Sequence, residues 1–227
     1  MKTIAVALIS TLAAFAAELP ATNEVVARFL AQDAARRASI STYSVTTRYH
    51  LENKSHRADM LVRWTRQQNG VKQYQIITEE GDTGVRNHVF HRLLEAEVEA
   101  SRSSEQERTW ITPTNYTFQL TGKGNVNGRE AYVMTLTPKI DAKFLTCGRI
   151  WIDAQDYAVI QVEGSPARNV SFWTKSVSFV QTFEKTGDFW FVAFNHSLTD
   201  ARIFGLAELT IQYFDYKFEG RSAKTAD

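Results

Sequence analysis

Tyr43-Ser44-Val45-Thr46-Thr47-Arg48-Tyr49-His50-Leu51 alternates, with Tyr43, Val45, Thr47, Tyr49 and Leu51 on one side and Ser44, Thr46, Arg48 and His50 on the other. A period of two predicts a strand with one buried face. The pattern spreads outward from here. Ala58, Met60, Val62 and Trp64 alternate in the same way, and after Asn69-Gly70, a strong short hairpin signal, so do Tyr74 and Ile76. Residues 116–121 and 129–138 join across Asn127-Gly128, and residues 144–152 and 157–164 join across Asp153-Ala154-Gln155-Asp156. Residues 171–184, 189–199 and 205–218 read as three long closing strands. About ten strands result, and turns this short make nearly all of the pairs antiparallel.

Two stretches change period. Val26, Phe29, Leu30 and Ala34 recur at helical spacing behind Asn23, a candidate cap, with Asp33, Arg36 and Arg37 expected to face water. Val85, Val89, Phe90, Leu93, Leu94 and Val98 do the same between Gly84 and Ser101-Arg102-Ser103-Ser104, so a second helix is inserted into the meander. Its apolar stripe must be buried, and the concave face of the sheet is the nearest uncovered apolar surface. That helix is therefore expected to be a movable lid, flexing at Gly81, Gly84 and residues 101–104. No Pro- or Gly-rich linker, repeat or low-complexity tract divides the sequence. One domain is expected over residues 17–220, with a polar, flexible tail at 221–227.

The chain has 227 residues, 44% of them hydrophobic, enough for a sizeable core. Its 26 Lys and Arg against 25 Asp and Glu leave a formal charge of +1, so no global field draws it to nucleic acid or to an anionic membrane surface. Lys2, the apolar run from Ile4 to Phe15 and the small-x-small site Ala14-Phe15-Ala16 read as a secretory signal peptide over residues 1–16, cleaved so that the mature chain starts near Ala17. An uncleaved anchor or a buried N-terminal helix is the alternative. Cys147 is the one cysteine, which excludes an intrachain disulfide. Its alternation with Leu145 and Trp151 predicts a buried structural thiol.

Catalytic motifs are missing from the sequence: there is no Gly-rich phosphate loop, Gly-x-Ser-x-Gly elbow or Cys-x-x-Cys pair. His88 and His91 lack a third ligand at a diagnostic spacing and read as a solvated helix face. Asp153 and Asp156 fall in a turn, where Asp is favoured because its side chain bonds nearby backbone. The expectation is of no enzyme, no cofactor and no metal. What is abundant is aromatic, with 14 Phe, 8 Tyr and 5 Trp, many of them crowded into the last three strands. Most make ordinary core and cross-strand pairs. A strongly curved sheet with few helices to cover it nevertheless leaves part of its concave face unfilled, and that remainder is an apolar ligand cavity. Its expected lining is Tyr43, Val45, Tyr49, Met60, Val62, Trp64, Tyr74, Ile76, Trp173, Phe179, Leu209 and Ile211 from the strands, with Phe90, Leu93 and Leu94 from the lid.

The signatures that remain are of strands and turns. They are Asn115-Tyr116-x-Phe118, Gly128-Arg129-x-Ala131-Tyr132-Val133, Thr137-Pro138-Lys139, Gly148-Arg149-Ile150-Trp151-Ile152-Asp153 and Asp156-Tyr157-Ala158-Val159. Glu163-Gly164-x-Pro166-Ala167, Ser171-Phe172-Trp173 and Gly205-x-Ala207-x-Leu209 follow. With the order of elements, they resemble the LolA/LolB-like fold of bacterial periplasmic lipoprotein carriers, the outer membrane lipoprotein-sorting proteins above all. The resemblance covers most of the chain. It implies a mainly β (α+β) open half-barrel with two or three helices over its concave face. It also implies a periplasmic carrier or chaperone, binding acyl chains of lipoproteins or lipids for transfer toward the outer membrane. Inner-membrane donor and outer-membrane acceptor proteins would be its partners, with transient membrane contact only, and a monomer is expected. Members of the family carry a Lys-Arg-Pro element after the second strand whose arginine helps hold the lid shut. Arg63-Trp64-Thr65-Arg66 stands near that place without the proline, which makes Arg63 or Arg66 the counterpart. Related half-barrels are lipid-sensing regulators that bind an envelope protein partner, and the resemblance leaves that alternative open.

Overall fold

The computed structural model describes residues 19–140, 142, 144–168, 174–201 and 205–218. The expected signal peptide and tail lie outside the described residues. The strands are β1 (Tyr43–Glu52), β2 (Arg57–Arg66), β3 (Lys72–Gly81), β4 (Tyr116–Val126), β5 (Arg129–Pro138), β6 (Thr146–Asp153), β7 (Val159–Pro166), β8 (Thr174–Thr186), β9 (Phe189–Ala201) and β10 (Gly205–Phe218). They form one ten-stranded sheet in the order β3-β2-β1-β10-β9-β8-β7-β6-β5-β4. Each neighbouring pair is antiparallel. β3 and β4 follow one another in the chain yet are opposite edges of the sheet, which is an open half-barrel. The connection between them therefore has to cross the open side. It does so as α2 (Thr83–Val85), a π turn (Arg86–Phe90), α3 (His91–Ser101) and α4 (Ser103–Thr109), while α1 (Thr22–Ser39) precedes β1.

Register decides which residues share a face, because residues directly opposite one another point the same way. Val45 lies opposite Trp64, Thr47 opposite Val62, and Tyr49 opposite Met60 on one side and Ile211 on the other. Trp64 and Val62 continue to Tyr74 and Ile76. These inner residues and the helical stripe of Val85, Phe90 and Leu94, flanked by Val89, Leu93 and Val98, make one core cluster. A second cluster lies on the other half of the sheet, where Val25, Val26 and Phe29 of α1 cover Tyr116, Met134, Leu136, Ile150 and Ile152. Between them the inner face turns polar: Asn195 and Ser197 of β9 stand opposite Ile211 and Leu209, and Gln181 of β8 stands opposite Asn195.

Polar ties hold the ends of both halves. In the first, Asp82 accepts from the Val85 N–H at 2.9 Å and from the His56 ring at 2.8 Å, so it caps the insertion and fastens it to β2. Glu79 takes Arg86 at 3.2 Å and His91 at 2.9 Å, while Ser101 Oγ accepts from the Lys72 N–H at 2.9 Å. Gly81 has φ +84°, and a Cβ there would stand 2.3 Å from the Arg57 carbonyl oxygen, so glycine is required. In the second half, Arg129 donates to both oxygens of Asp153 at 2.5 and 2.9 Å. Lys185 at 2.8 Å and Trp190 at 2.9 Å converge on Asp156 Oδ2, which ties three hairpin ends together.

Three expectations are corrected. The N-cap of α1 is Ala21, and Asn23 Oδ1 accepts instead from the Glu24 N–H at 3.0 Å inside the first turn. Cys147 is exposed. It stands opposite Ser165 and shares the outer face with Arg149 and Trp151, because the inward set of β6 is Ile150 and Ile152. His88 is exposed, but His91 is drawn to Glu79 rather than left in solvent.

Candidate functional site

α1 begins as a core helix and does not end as one. Val26, Phe29, Asp33, Arg36, Arg37 and Ile40 follow one another at helical spacing, so the inner stripe changes chemistry without changing direction. Asp33, Arg36 and Arg37, expected to face water, are half-buried and line a cavity of about 360 Å³. Ala34, expected inside, is exposed. The buried Ile40 beyond the charged trio was the available signal: carried forward from Phe29, the stripe passes through 33, 36 and 37 to reach it.

The cavity lies at one end of the half-barrel, in the seam between the two clusters. Its aromatic wall is built by β1, β9 and β10. Phe191 packs against Tyr216 and Phe218 at 5.0 Å between ring centroids in both cases, and Tyr43 meets Phe191 at 6.0 Å. The Tyr216 hydroxyl donates to the Val192 carbonyl at 2.7 Å, which fixes that ring. Phe183 and Phe189 extend this wall, and Gln106, Thr109, Trp110 and Ile111 cover the opening from α4 and the residues after it.

The opposite wall is cationic. Asp33 takes Arg36 at 2.8 Å and also Arg37, so two guanidiniums share one carboxylate. The Arg37 guanidinium also stacks over Trp110, 4.3 Å from its ring centre. Arg66 and Lys72 lie directly opposite each other on β2 and β3. Arg66 Nη1 donates to the Ser41 carbonyl at 2.6 Å, and Lys72 pairs with Glu97. Burial draws the Arg36 guanidinium below its ordinary pKa, opposed by Tyr43 and Tyr216. Burial pulls Lys72 the same way, but Glu97 outweighs it and the ammonium is held above its usual range. Burial pushes the Tyr216 phenol up.

A LolA superfamily protein from Nitrosomonas europaea matches this architecture with a TM-score of 0.50 at 10% identity, over 90% of this chain and 97% of that one. The chain has a LolA-like fold. A putative outer membrane lipoprotein-sorting protein domain from Vibrio parahaemolyticus is similar at TM-score 0.43 and 12% identity, over 86% of this chain and 94% of that one. A DUF1329 family protein from Desulfovibrio piger is similar at 0.47 and 10%, over 88% and 95%. The sequence matches no protein-family model and no curated protein.

Within this LolA-like frame the expected lining residues separate. Tyr43 and Arg66 border the cavity. Val45, Tyr49, Met60, Val62, Trp64 and Leu209 are buried in the first cluster beneath Phe90 and Leu94, with Ile76, Leu93 and Ile211 at its margin. Tyr74 shares their face, but it stands on the edge strand and is 38% exposed. Phe179 packs into the second cluster. Arg63 lies opposite Thr46 and Gln75, on the outer face and away from the helices, so Arg66 is the arginine on the helix side. Trp173 lies outside the described residues.

Proposed function

We propose that this chain is a non-enzymatic carrier for acyl chains of lipids or lipoproteins, exported to the periplasm and working toward the outer membrane. The observation that carries the reading is the aromatic-walled cavity in the seam of an open half-barrel. Its volume of about 360 Å³ falls at the small end of the range of about 300–1,000 Å³ typical of ligand pockets. A C16 chain exposed to water costs on the order of 12 kcal/mol at about 0.8 kcal/mol per CH₂. Crossing an aqueous compartment therefore calls for an apolar shelter. Exchange between bilayer and protein trades one apolar setting for another, so loading and release turn on small affinity differences and need no reacting group.

Tyr43, Phe183, Phe191 and Tyr216 would meet the chain first. The lining expected on β1–β3 would become available only if the insertion lifted from Met60, Val62 and Trp64. The test is transfer of a fluorescent fatty acid between donor and acceptor vesicles. The protein is expected to raise the rate in proportion to its concentration, and a rate unchanged by the protein overturns the carrier reading.

A further inference from the structure

The carrier reading says nothing of the polar end of the cargo, and the cavity does. Among the described lining residues are four cations, Arg36, Arg37, Arg66 and Lys72, and one carboxylate, Asp33. Glu97 offsets Lys72 from beside the cavity. The excess is positive even after both carboxylates are counted.

The placement of Arg36 and Arg37 is unfavourable for the empty protein, while Lys72 is compensated by Glu97. Arg66 and Lys72 are direct cross-strand partners, and like charges in that relation destabilise a sheet. Arg36 and Arg37 divide a single carboxylate, and burial already works against Arg36. A stripe that runs Val26, Phe29 and then Ile40 would be satisfied by apolar residues at the positions between. Charges held at a half-buried site without matching countercharge fit a ligand that brings the countercharge with it. An apolar tail finds the opposing wall of Phe183, Phe189, Phe191 and Tyr216.

We infer that the cavity binds a single-chain anionic amphiphile, its carboxylate or phosphate head held by Arg36 and Arg37 from α1 and by Arg66 and Lys72 from β2 and β3. The inference rests on the carrier reading and names the class of its cargo. Arginine presents paired donors that match both head groups, and Lys72 adds a point charge. The two hydrogen-bonded sides belong to different elements, so a bound head group bridges α1 to the β2–β3 hairpin.

The experiment is calorimetric titration of the whole protein with four twelve-carbon probes: laurate, dodecyl phosphate, dodecanol and dodecyltrimethylammonium. Inorganic phosphate is the tailless control. Laurate and dodecyl phosphate are expected to bind at least about tenfold more tightly than the other two, and their ratio tells whether a fatty acid or a phospholipid-type head is preferred. The pair of substitutions Arg36→Gln and Arg37→Gln should weaken anion binding by about tenfold, which is about 1.4 kcal/mol, without weakening dodecanol. Arg36→Lys with Arg37→Lys should restore most of the loss, and Arg66→Gln gives an independent test should the α1 variants unfold. Equal binding of all four probes overturns the head-group assignment and leaves the carrier standing. Inorganic phosphate binding as tightly as dodecyl phosphate also overturns it, because the tail then contributes nothing. Binding of none overturns both.

Discussion

The two halves of the sheet solve the same problem with different helices. Each presents an apolar inner face, and each is covered by a helix laid across it. Over β1–β3 and β10 the cover is the insertion, and its stripe stays apolar from Val85 to Val98. Over β4–β7 the cover is α1, apolar at Val25, Val26 and Phe29 and charged from Asp33 onward. The first half is consequently a finished core, and the cavity opens where the second cover stops being apolar. In this fold the place of the pocket is set by where a helix stripe changes chemistry, as much as by the curve of the sheet.

The largest effect should come from the finished half. Leu94 is fully buried, and Leu94→Ala is expected to cost about 2–5 kcal/mol in urea unfolding. One shared transition is expected, because β9 and β8 join the halves through a continuous ladder from β10 to β7. Two separated transitions would show that the halves fold independently and would break the comparison.

Next is the tie at the end of the second half. The Asp153 side chain is 1% exposed. Burial pushes its carboxyl up, but Arg129 and the N–H groups of Asp156 and Gln155 more than offset this and hold it below the ordinary value. Its contribution is thus complete above the unfolded carboxylate value of about 3.9 and is lost as pH falls through the lower folded value. Asp153→Asn should cost about 1.5–3 kcal/mol at neutral pH and flatten the acid limb of stability against pH. An acid limb as steep as that of the unmodified protein would assign the acid sensitivity elsewhere.

A smaller effect sharpens the contrast between the two covers. Arg36→Met continues the apolar stripe of α1, and Asp33 keeps Arg37 as its partner, so the change removes a partly buried charge without leaving a carboxylate unpaired. Thermal unfolding is expected to show a gain of up to about 1 kcal/mol, accompanied by weaker binding of laurate. A clear loss of stability would mean that Arg36 holds α1 in place, contrary to the role inferred for it.

The smallest effect concerns α4, which lines the opening through Gln106 and Thr109. Its sequence, Ser103-Ser104-Glu105-Gln106-Glu107-Arg108-Thr109, contains no apolar residue to bury. Local stability follows buried apolar contact, so amide hydrogens of α4 should exchange faster than those around Leu94 in α3. Equal protection would leave no weak segment over the cavity.

The sheet was readable because period two survives in strands with one wet face: Val45, Tyr49, Met60, Val62 and Trp64 all sit on the side that alternation gave them. Turns at Asn69-Gly70 and Asn127-Gly128 fixed the hairpins in the same way. The cavity was not readable from such patterns. Charged residues on a helix are ordinarily read as its wet side, and Ile40, a single apolar residue beyond them, was the one signal that Asp33, Arg36 and Arg37 face inward. Cys147 failed for the reverse reason, since Leu145 precedes β6 and does not share its alternation.

The pairing of β1 with β10 bears on assembly in time. Tyr43 meets Phe218 and Leu51 meets Leu209, so the earliest strand waits for the last one before its second edge is closed. Neighbouring hairpins such as β4–β5 or β8–β9 form from local contacts, whereas this ladder closes a loop spanning nearly the whole described chain, and closures of that length slow folding. Until β10 arrives, β1 carries an open row of backbone donors and acceptors, the kind of edge that recruits strands from other molecules. A strand that is interior in the finished sheet is therefore the vulnerable one during folding, and a chain stalled before Gly205 would be prone to aggregate through it.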